Sequence, residues 1–183
     1  RPQAGRVFFE GKDVTELSPR AIALRGMVRS FQLPQLFTEH TVRDCIRIAA
    51  AGKRNRLGLW SPLAKAVDDD EVARILTMVG LDKRADELSG AFPEGQRKLL
   101  DIAMALIMKP RLLILDEPTT GLDPNQLVEI RKLIREIGKN KTVLLSTHIM
   151  QEVESICDRI IVINNGKLVA DDTISNKKTK SNT

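Results

Sequence analysis

The chain has 183 residues, 42% of them apolar and 29% charged, a balance that fits one globular domain with an ordinary core and room for a smaller subdomain. No apolar run approaches the roughly 20 residues of a membrane span; segments such as 112–115 and 160–163 are far shorter, so the chain is not expected to cross a membrane by itself. The net charge of +5 does not single out nucleic acid, because Lys177, Lys178 and Lys180 sit in the polar tail NKKTKSNT, and with no Tyr and 3% aromatic residues a base-stacking surface is poorly supplied.

In chain order, GRVFFEGKDV has an apolar centre flanked by glycines and predicts a short strand and turn. Ser18 followed by Pro19 is a cap and first-turn proline for a short helix running to Gly26. MVRSFQ then reads as a strand ending near Gln32 and Pro34. An amphipathic helix is expected from Thr41 to about Ala51, followed by the loop GKRNRLGLWSPL. Asp68, Asp69 and Asp70 precede Val72, Ile75, Leu76 and Val79 at helical spacing, which puts acids at the helix's positive end and Gly80 at its stop. A further helix spans about Glu94 to Met108, before Pro110.

After Pro110 the pattern becomes regular: LLIL, the helix QLVEIRKLIREIG, TVLLS, a short helix around Ile149 to Ile156, and RIIVI. In the first of these helices Leu127, Ile130, Ile134 and Ile137 share one face, with Asp123 and Pro124 at its start and Gly138 at its end. Short aliphatic runs alternating with helices imply a parallel sheet buried on both faces. The expected fold class is therefore α/β, with residues 1–40 and 109–172 forming the core, 41–108 a mostly helical subdomain, and 173–183 a frayed tail. Cys45 and Cys157 lie far apart without a CxxC spacing and read as inert core thiols in a reducing, cytoplasmic setting, while His40 and His148 complete no metal cluster.

Few groups remain for chemistry. In open α/β sheets ligands bind at the carboxyl ends of strands, and Asp116 and Glu117 stand at one such end. Phosphoryl chemistry needs an acid to hold Mg²⁺ and a group to position or deprotonate water, tasks that two successive carboxylates at a strand end divide between them. Alone, the pattern equally fits a capped surface loop. Asp123 is placed to cap the next helix, His148 follows a neighbouring strand, and Gln32 offers a neutral oxygen to Mg²⁺ or water; each also fits an ordinary surface residue.

Their order is more specific. Gln32 after a strand, FPEGQRKLLDIAMAL, LLILDEP, GLD and then STH resemble the ATPase subunits of ABC transporters over the chain up to about Asp172. The resemblance implies a P-loop NTPase-like parallel sheet with a helical subdomain, binding ATP and Mg²⁺. It makes Gln32 the Q-loop glutamine and a Mg²⁺ ligand, Asp116 the Walker B Mg²⁺ ligand, Glu117 the general base, residues 121–123 the D-loop and His148 the switch histidine. Phe92, Pro93, Glu94, Gly95 and Gln96 match the signature motif, which in this family contacts ATP held by a partner subunit, with Asp123 alongside. ELSGA at 87–91 also looks like a signature, but it lacks the second glycine and no basic helix follows it. FPEGQ aligns without a gap and resembles the variant of branched-chain amino-acid importers, with Pro93 in place of the usual serine.

The first half, GRVFFEGKDVTELSP and RGMVRSFQLPQLF, resembles those importer ATPases, whereas TTGLDPNQLVEIRKLI and STHIMQEVESICDRIIVINNGKLVADD are similar to exporter ATPases of the multidrug and gliding-motility type. No G-x-x-x-x-G-K-[ST] run occurs in these residues, and residues 1–14 resemble the segment that follows that loop, so an N-terminally truncated ATPase is expected. The implied partners are a second ATPase subunit and transmembrane permease subunits, with Phe37 a candidate docking residue, and the implied location is the cytoplasmic membrane face. Two alternatives stay open: a non-catalytic dimerisation or regulatory module, and a soluble ABC ATPase.

Overall fold

The computed structural model describes residue 2 and residues 4–30, 37–53 and 68–174. It divides into two compact units, Arg1–Ser146 and Thr147–Thr183.

The first unit opens with an antiparallel hairpin, β1 (Phe8–Phe9) and β2 (Lys12–Asp13), turned by Glu10 and Gly11 with φ of 50° and 74°. Helix α1 (Pro19–Leu24) starts as expected, the Ser18 hydroxyl accepting from the Ala21 N–H at 3.2 Å. A three-stranded parallel sheet follows in the order β3 (Met27–Ser30), β4 (Leu112–Asp116), β5 (Thr142–Ser146). Its register pairs Ser30 with Leu115 and Asp116 with Ser146, so all three strands end at nearly the same level. The expected strand MVRSFQ is described only as far as Ser30; Gln32 lies outside the described residues.

Strand β4 is the middle strand, and Leu113 and Leu115 on it are wholly buried. Helix α5 (Pro124–Gly138) returns the chain from β4 to β5 and buries Ile130, Leu133, Ile134 and Ile137. This stripe is the one expected with Leu133 added, and Leu127 only half-buried. Its start is a full capping box: the Asp123 carboxylate accepts from the Asn125 and Gln126 N–H groups, and the Gln126 carboxamide oxygen accepts from the Asp123 N–H.

Between β3 and β4 the described residues include three α-helices, α2 (Val42–Lys53), α3 (Asp69–Met78) and α4 (Glu94–Ile107). They pack on one another through Val42, Cys45 and Ile46 of α2, Val72, Ile75 and Leu76 of α3, and Leu100, Ala103 and Leu106 of α4. Asp68 caps α3 by accepting from the Asp70 N–H, and Gly80 leaves that helix with φ of 72°, as the sequence predicts. Cys45 is buried, but Cys157 is half-buried rather than a core thiol.

The second unit holds α6 (Met150–Ile156) and a hairpin of β6 (Arg159–Asn164) and β7 (Lys167–Thr173). Here the sequence reading is corrected: RIIVI pairs antiparallel with β7, a strand not foreseen, instead of extending the parallel sheet. The reason is local. Asn165 and Gly166 take φ of 47° and 72°, the two left-handed positions of a tight hairpin turn, so the chain reverses at once and KLVADDT becomes the nearest partner. Among the described residues no helix is long and apolar enough to cross a membrane.

Leu113→Ala would leave a cavity on the buried face of β4, whose other face, carrying Leu112 and Ile114, is only half-buried rather than covered as the aliphatic run suggests; urea unfolding should register a loss of about 3 kcal/mol.

Candidate functional site

The parallel register brings three polar side chains to one edge of the sheet: Ser30, Asp116 and Ser146 close β3, β4 and β5 respectively. The Ser146 hydroxyl donates to Asp116 Oδ1 at 2.6 Å, and the Arg29 guanidinium pairs with Asp116 Oδ2. The Ser146 hydrogen bond first, and the Arg29 contact second, hold the Asp116 carboxyl below the usual carboxylate range. Asp116 is therefore a permanent anion at neutral pH, and it is only partly screened from solvent.

Glu117 follows with φ of 47°, a left-handed conformation that costs a non-glycine residue on the order of 1 kcal/mol or more. Its N–H donates to the Ser146 carbonyl at 3.1 Å, which holds the kink in place. The kink ends the strand at Asp116. Thr120 receives the Glu117 side chain, donating from Oγ1 to Glu117 Oε2 at 3.1 Å.

The turn after β4 also meets the start of α4. Gly121 has φ of 77°, and a Cβ there would lie 3.0 Å from Glu94 Oε1. Lys98 is buried in this junction, donating to the Thr120 carbonyl and pairing with Glu94 at 3.5 Å. A Cβ on Gly95 would come within 2.5 Å of the Gln126 carboxamide. The candidate signature residues Glu94 and Gly95 thus pack against residues 120–126 of the same chain, and the N-termini of α4 and α5 lie together.

Arg84 governs the other side of the signature. Its guanidinium lies 4.2 Å from the centre of the Phe92 ring, donates to Gln96 Oε1, and is clamped by Glu87 with N–O distances of 2.6 to 3.0 Å. The Phe92 ring is buried under it, so what Phe92 offers a ligand is backbone; Pro93 is exposed and supplies no N–H. Asp123 spends its carboxylate on the α5 cap.

Asp116, Glu117, Asp123 and residues 92–96 thus fall within the first unit. His148 is exposed and belongs to the second unit, two residues before α6. Gln32 lies outside the described residues. Arg29, Arg84, Lys98 and Ser146 were missed by the sequence reading; a lone Arg or Ser carries no motif, and Lys98 on a helix looks like an ordinary solvated lysine. Only the strand-end position of Ser146, one strand over from Asp116, signalled anything. Among the described residues no cluster of three or more His, Cys, Asp or Glu is assembled for a metal. An ionised Asp116 next to the Ser146 hydroxyl suits Mg²⁺, which is held through one or two carboxylates with substrate phosphates and waters completing its shell, provided the ion displaces the Arg29 guanidinium from Oδ2.

In a parallel α/β unit ligands bind at the carboxyl ends of the strands, where Asp116 and Glu117 stand. The comparisons with known proteins are more specific. The family model described as "ABC transporter" matches residues 1–120. The high-affinity branched-chain amino acid transport ATP-binding protein BraF of Pseudomonas aeruginosa is 35% identical over 182 residues, covering 94% of this chain and 71% of that protein. The methionine import ATP-binding protein MetN of Mannheimia succiniciproducens is 34% identical over 181 residues, 96% of this chain but 50% of that one. Among solved structures, MJ1267, an ATP-binding cassette of an ABC transporter, superposes with a TM-score of 0.80 at 29% identity, over 97% of this chain and 73% of that one. The chain belongs to the ABC transporter family, as an ATP-binding domain with relatives among importer ATPases.

Lys98→Met keeps the apolar stem and removes the ammonium, leaving the Thr120 carbonyl without that donor. Chemical denaturation should show a loss of about 1–3 kcal/mol, the range for a buried group deprived of its partner.

Proposed function

We propose that this chain is part of the ATPase subunit of an ABC importer of the branched-chain amino-acid type, working as a pair of such subunits against transmembrane permease subunits at the cytoplasmic membrane face. The observation that carries the reading is the strand-end arrangement of an ionised Asp116 and a kinked Glu117 on β4. The likeness to BraF supports the branched-chain amino-acid type, and that to the methionine import protein MetN supports import over export. The exporter-like wording of the second half remains a point of sequence resemblance alone.

In this reading Asp116 holds Mg²⁺, with Gln32 as a second ligand. Mg²⁺, when bound, supplies charge neutralisation on the β- and γ-phosphates. Glu117 accepts the proton of the attacking water, and Thr120 keeps its carboxylate oriented for that task. His148 contacts the γ-phosphate. The backbone around Gly95, at the positive end of α4, faces the nucleotide held by the partner subunit, with Phe92, Pro93, Glu94 and Gln96 shaping that end. Asp123 keeps its neighbouring turn at the subunit interface. ATP closes the pair and hydrolysis opens it, and the helical subdomain 41–108, with Phe37, passes the motion to the permease.

These 183 residues contain no G-x-x-x-x-G-K-[ST] run, whose backbone amides and lysine supply most phosphate donors in such sites. By themselves they are expected to hydrolyse ATP slowly or not at all.

Within the assembled transporter ATPase, Glu117→Gln should retain ATP binding while losing turnover by about 10²-fold or more, the scale of general-base assistance. Single-turnover hydrolysis and nucleotide titration measure the two separately. Hydrolysis at the unsubstituted rate would refute the role given to Glu117.

A further inference from the structure

The ELSGA segment, set aside as a signature, has a different job in the structure. Residues 85–91 are tied along their length to residues 37–45, a segment close in sequence to the expected Q-loop. The first N–H groups of α2, which have no partner inside their own helix, are satisfied from here: Val42 donates to the Glu87 carbonyl at 3.0 Å and Arg43 to the Ala85 carbonyl at 2.8 Å. Arg43 pairs with Asp86 at 2.9 Å, and Thr41 bridges antiparallel to Leu88. The Ser89 N–H donates to the His40 carbonyl at 3.0 Å and the Gly90 N–H to the Thr38 carbonyl at 3.2 Å.

Two of these residues tolerate no obvious replacement. Ser89 is fully buried, and its hydroxyl donates to the Phe37 carbonyl at 3.0 Å with Cys45 Sγ 3.6 Å away. A Cβ on Gly90 would stand 2.9 Å from the Thr38 carbonyl oxygen, a backbone atom that cannot swing aside as a side chain can. The same segment is fastened on its far side to the signature helix. The Arg97 guanidinium, one residue past Gln96, reaches back to the Gly90 carbonyl at 2.7 Å, and the Phe92 N–H closes a tight turn on the Ser89 carbonyl at 3.2 Å.

We propose that residues 87–91 form a clasp that fixes the start of α4 to the segment 37–41, so that displacing either displaces the other, with Ser89 and Gly90 as its positioning residues. Phe37 is 43% exposed at one end of the clasp, while Gly95 and Gln96 stand at the other. A push delivered at Phe37 therefore arrives at the signature through a short chain of part-buried hydrogen bonds and one close backbone approach, without having to travel through the hydrophobic core of α2 and α3. That this movement reaches a nucleotide rests on the function proposed above; the mechanical link itself does not.

The test is amide hydrogen exchange on this chain and on Ser89→Ala and Gly90→Ala, read at Gly90, Phe92 and Arg97, with Leu113 and Leu145 in the sheet as controls. Loss of one buried hydrogen bond should speed exchange about tenfold at Gly90 and, by the same factor, at Phe92 and Arg97, while the sheet amides hold their rates. Acceleration confined to Gly90, with Phe92 and Arg97 unchanged, would overturn the clasp. So would uniform acceleration that includes Leu113 and Leu145, because the two residues would then serve only general stability. Ser89→Ala removes a single hydroxyl and serves where Gly90→Ala does not fold. Exchange is read without nucleotide, so a failure to bind ATP would count against the proposed function and leave this result standing.

Discussion

The parallel pairing of β4 with both of its neighbours is the constraint on which the rest depends. A central strand must satisfy its N–H and C=O groups on both edges, and on β4 Leu113 and Leu115 seal one face completely while Leu112, Ile114 and Asp116 on the other stay half-buried. With β4 fixed, the ends of β3 and β5 fall beside it in register, which delivers Ser30, Asp116 and Ser146 to one edge. Asp101 of α4 accepts the Ser30 hydroxyl at 2.5 Å, so the same edge also anchors the signature helix. Site and core are therefore one construction: the sheet that hides the leucines also aligns the carboxylates.

Helix α4 is the second organising element. It is buried nearly all round, through Leu99, Leu100, Ile102, Ala103, Leu106 and Ile107, and it also buries Lys98 and Asp101. Both are spent on fixed partners, Lys98 on the Thr120 carbonyl and Asp101 on Ser30. Burying ionisable groups is costly unless each is hydrogen-bonded. What they contribute is position: one helix registers the turn after β4 against the end of β3, and its first residues, 94–96, move with both.

Much of this was legible in the sequence, because the physics involved is local. Ser18-Pro19, Asp68 and Asp123-Pro124 announce helix starts by supplying oxygen acceptors to first-turn N–H groups, and the aliphatic runs 112–115 and 142–145 form parallel strands as expected. Burial on both faces does not hold: β4 is buried on one face only, and Leu144 of β5 is exposed. Asp116 and Glu117 were visible as strand-end carboxylates. Arg84 and Ser89 were not, since their meaning comes from Phe92 and Gln96 in one case and from Phe37 and Thr38 in the other, contacts that exist only after folding. The antiparallel β6–β7 pair is less legible for a simpler reason: RIIVI carries the same aliphatic pattern as the parallel strands before it, and only the Asn165-Gly166 turn, which reverses the chain, sets it apart.

The central claim is that Asp116 and Glu117 serve a Mg²⁺-bound phosphate whose main cradle is a glycine-rich loop absent from these 183 residues. The most direct measurement is calorimetric titration of Mg²⁺-ATP into this chain. The account predicts binding at about a millimolar or weaker, worth roughly 4 kcal/mol at most. A dissociation constant near a micromolar would contradict it, because other residues would then be holding the triphosphate.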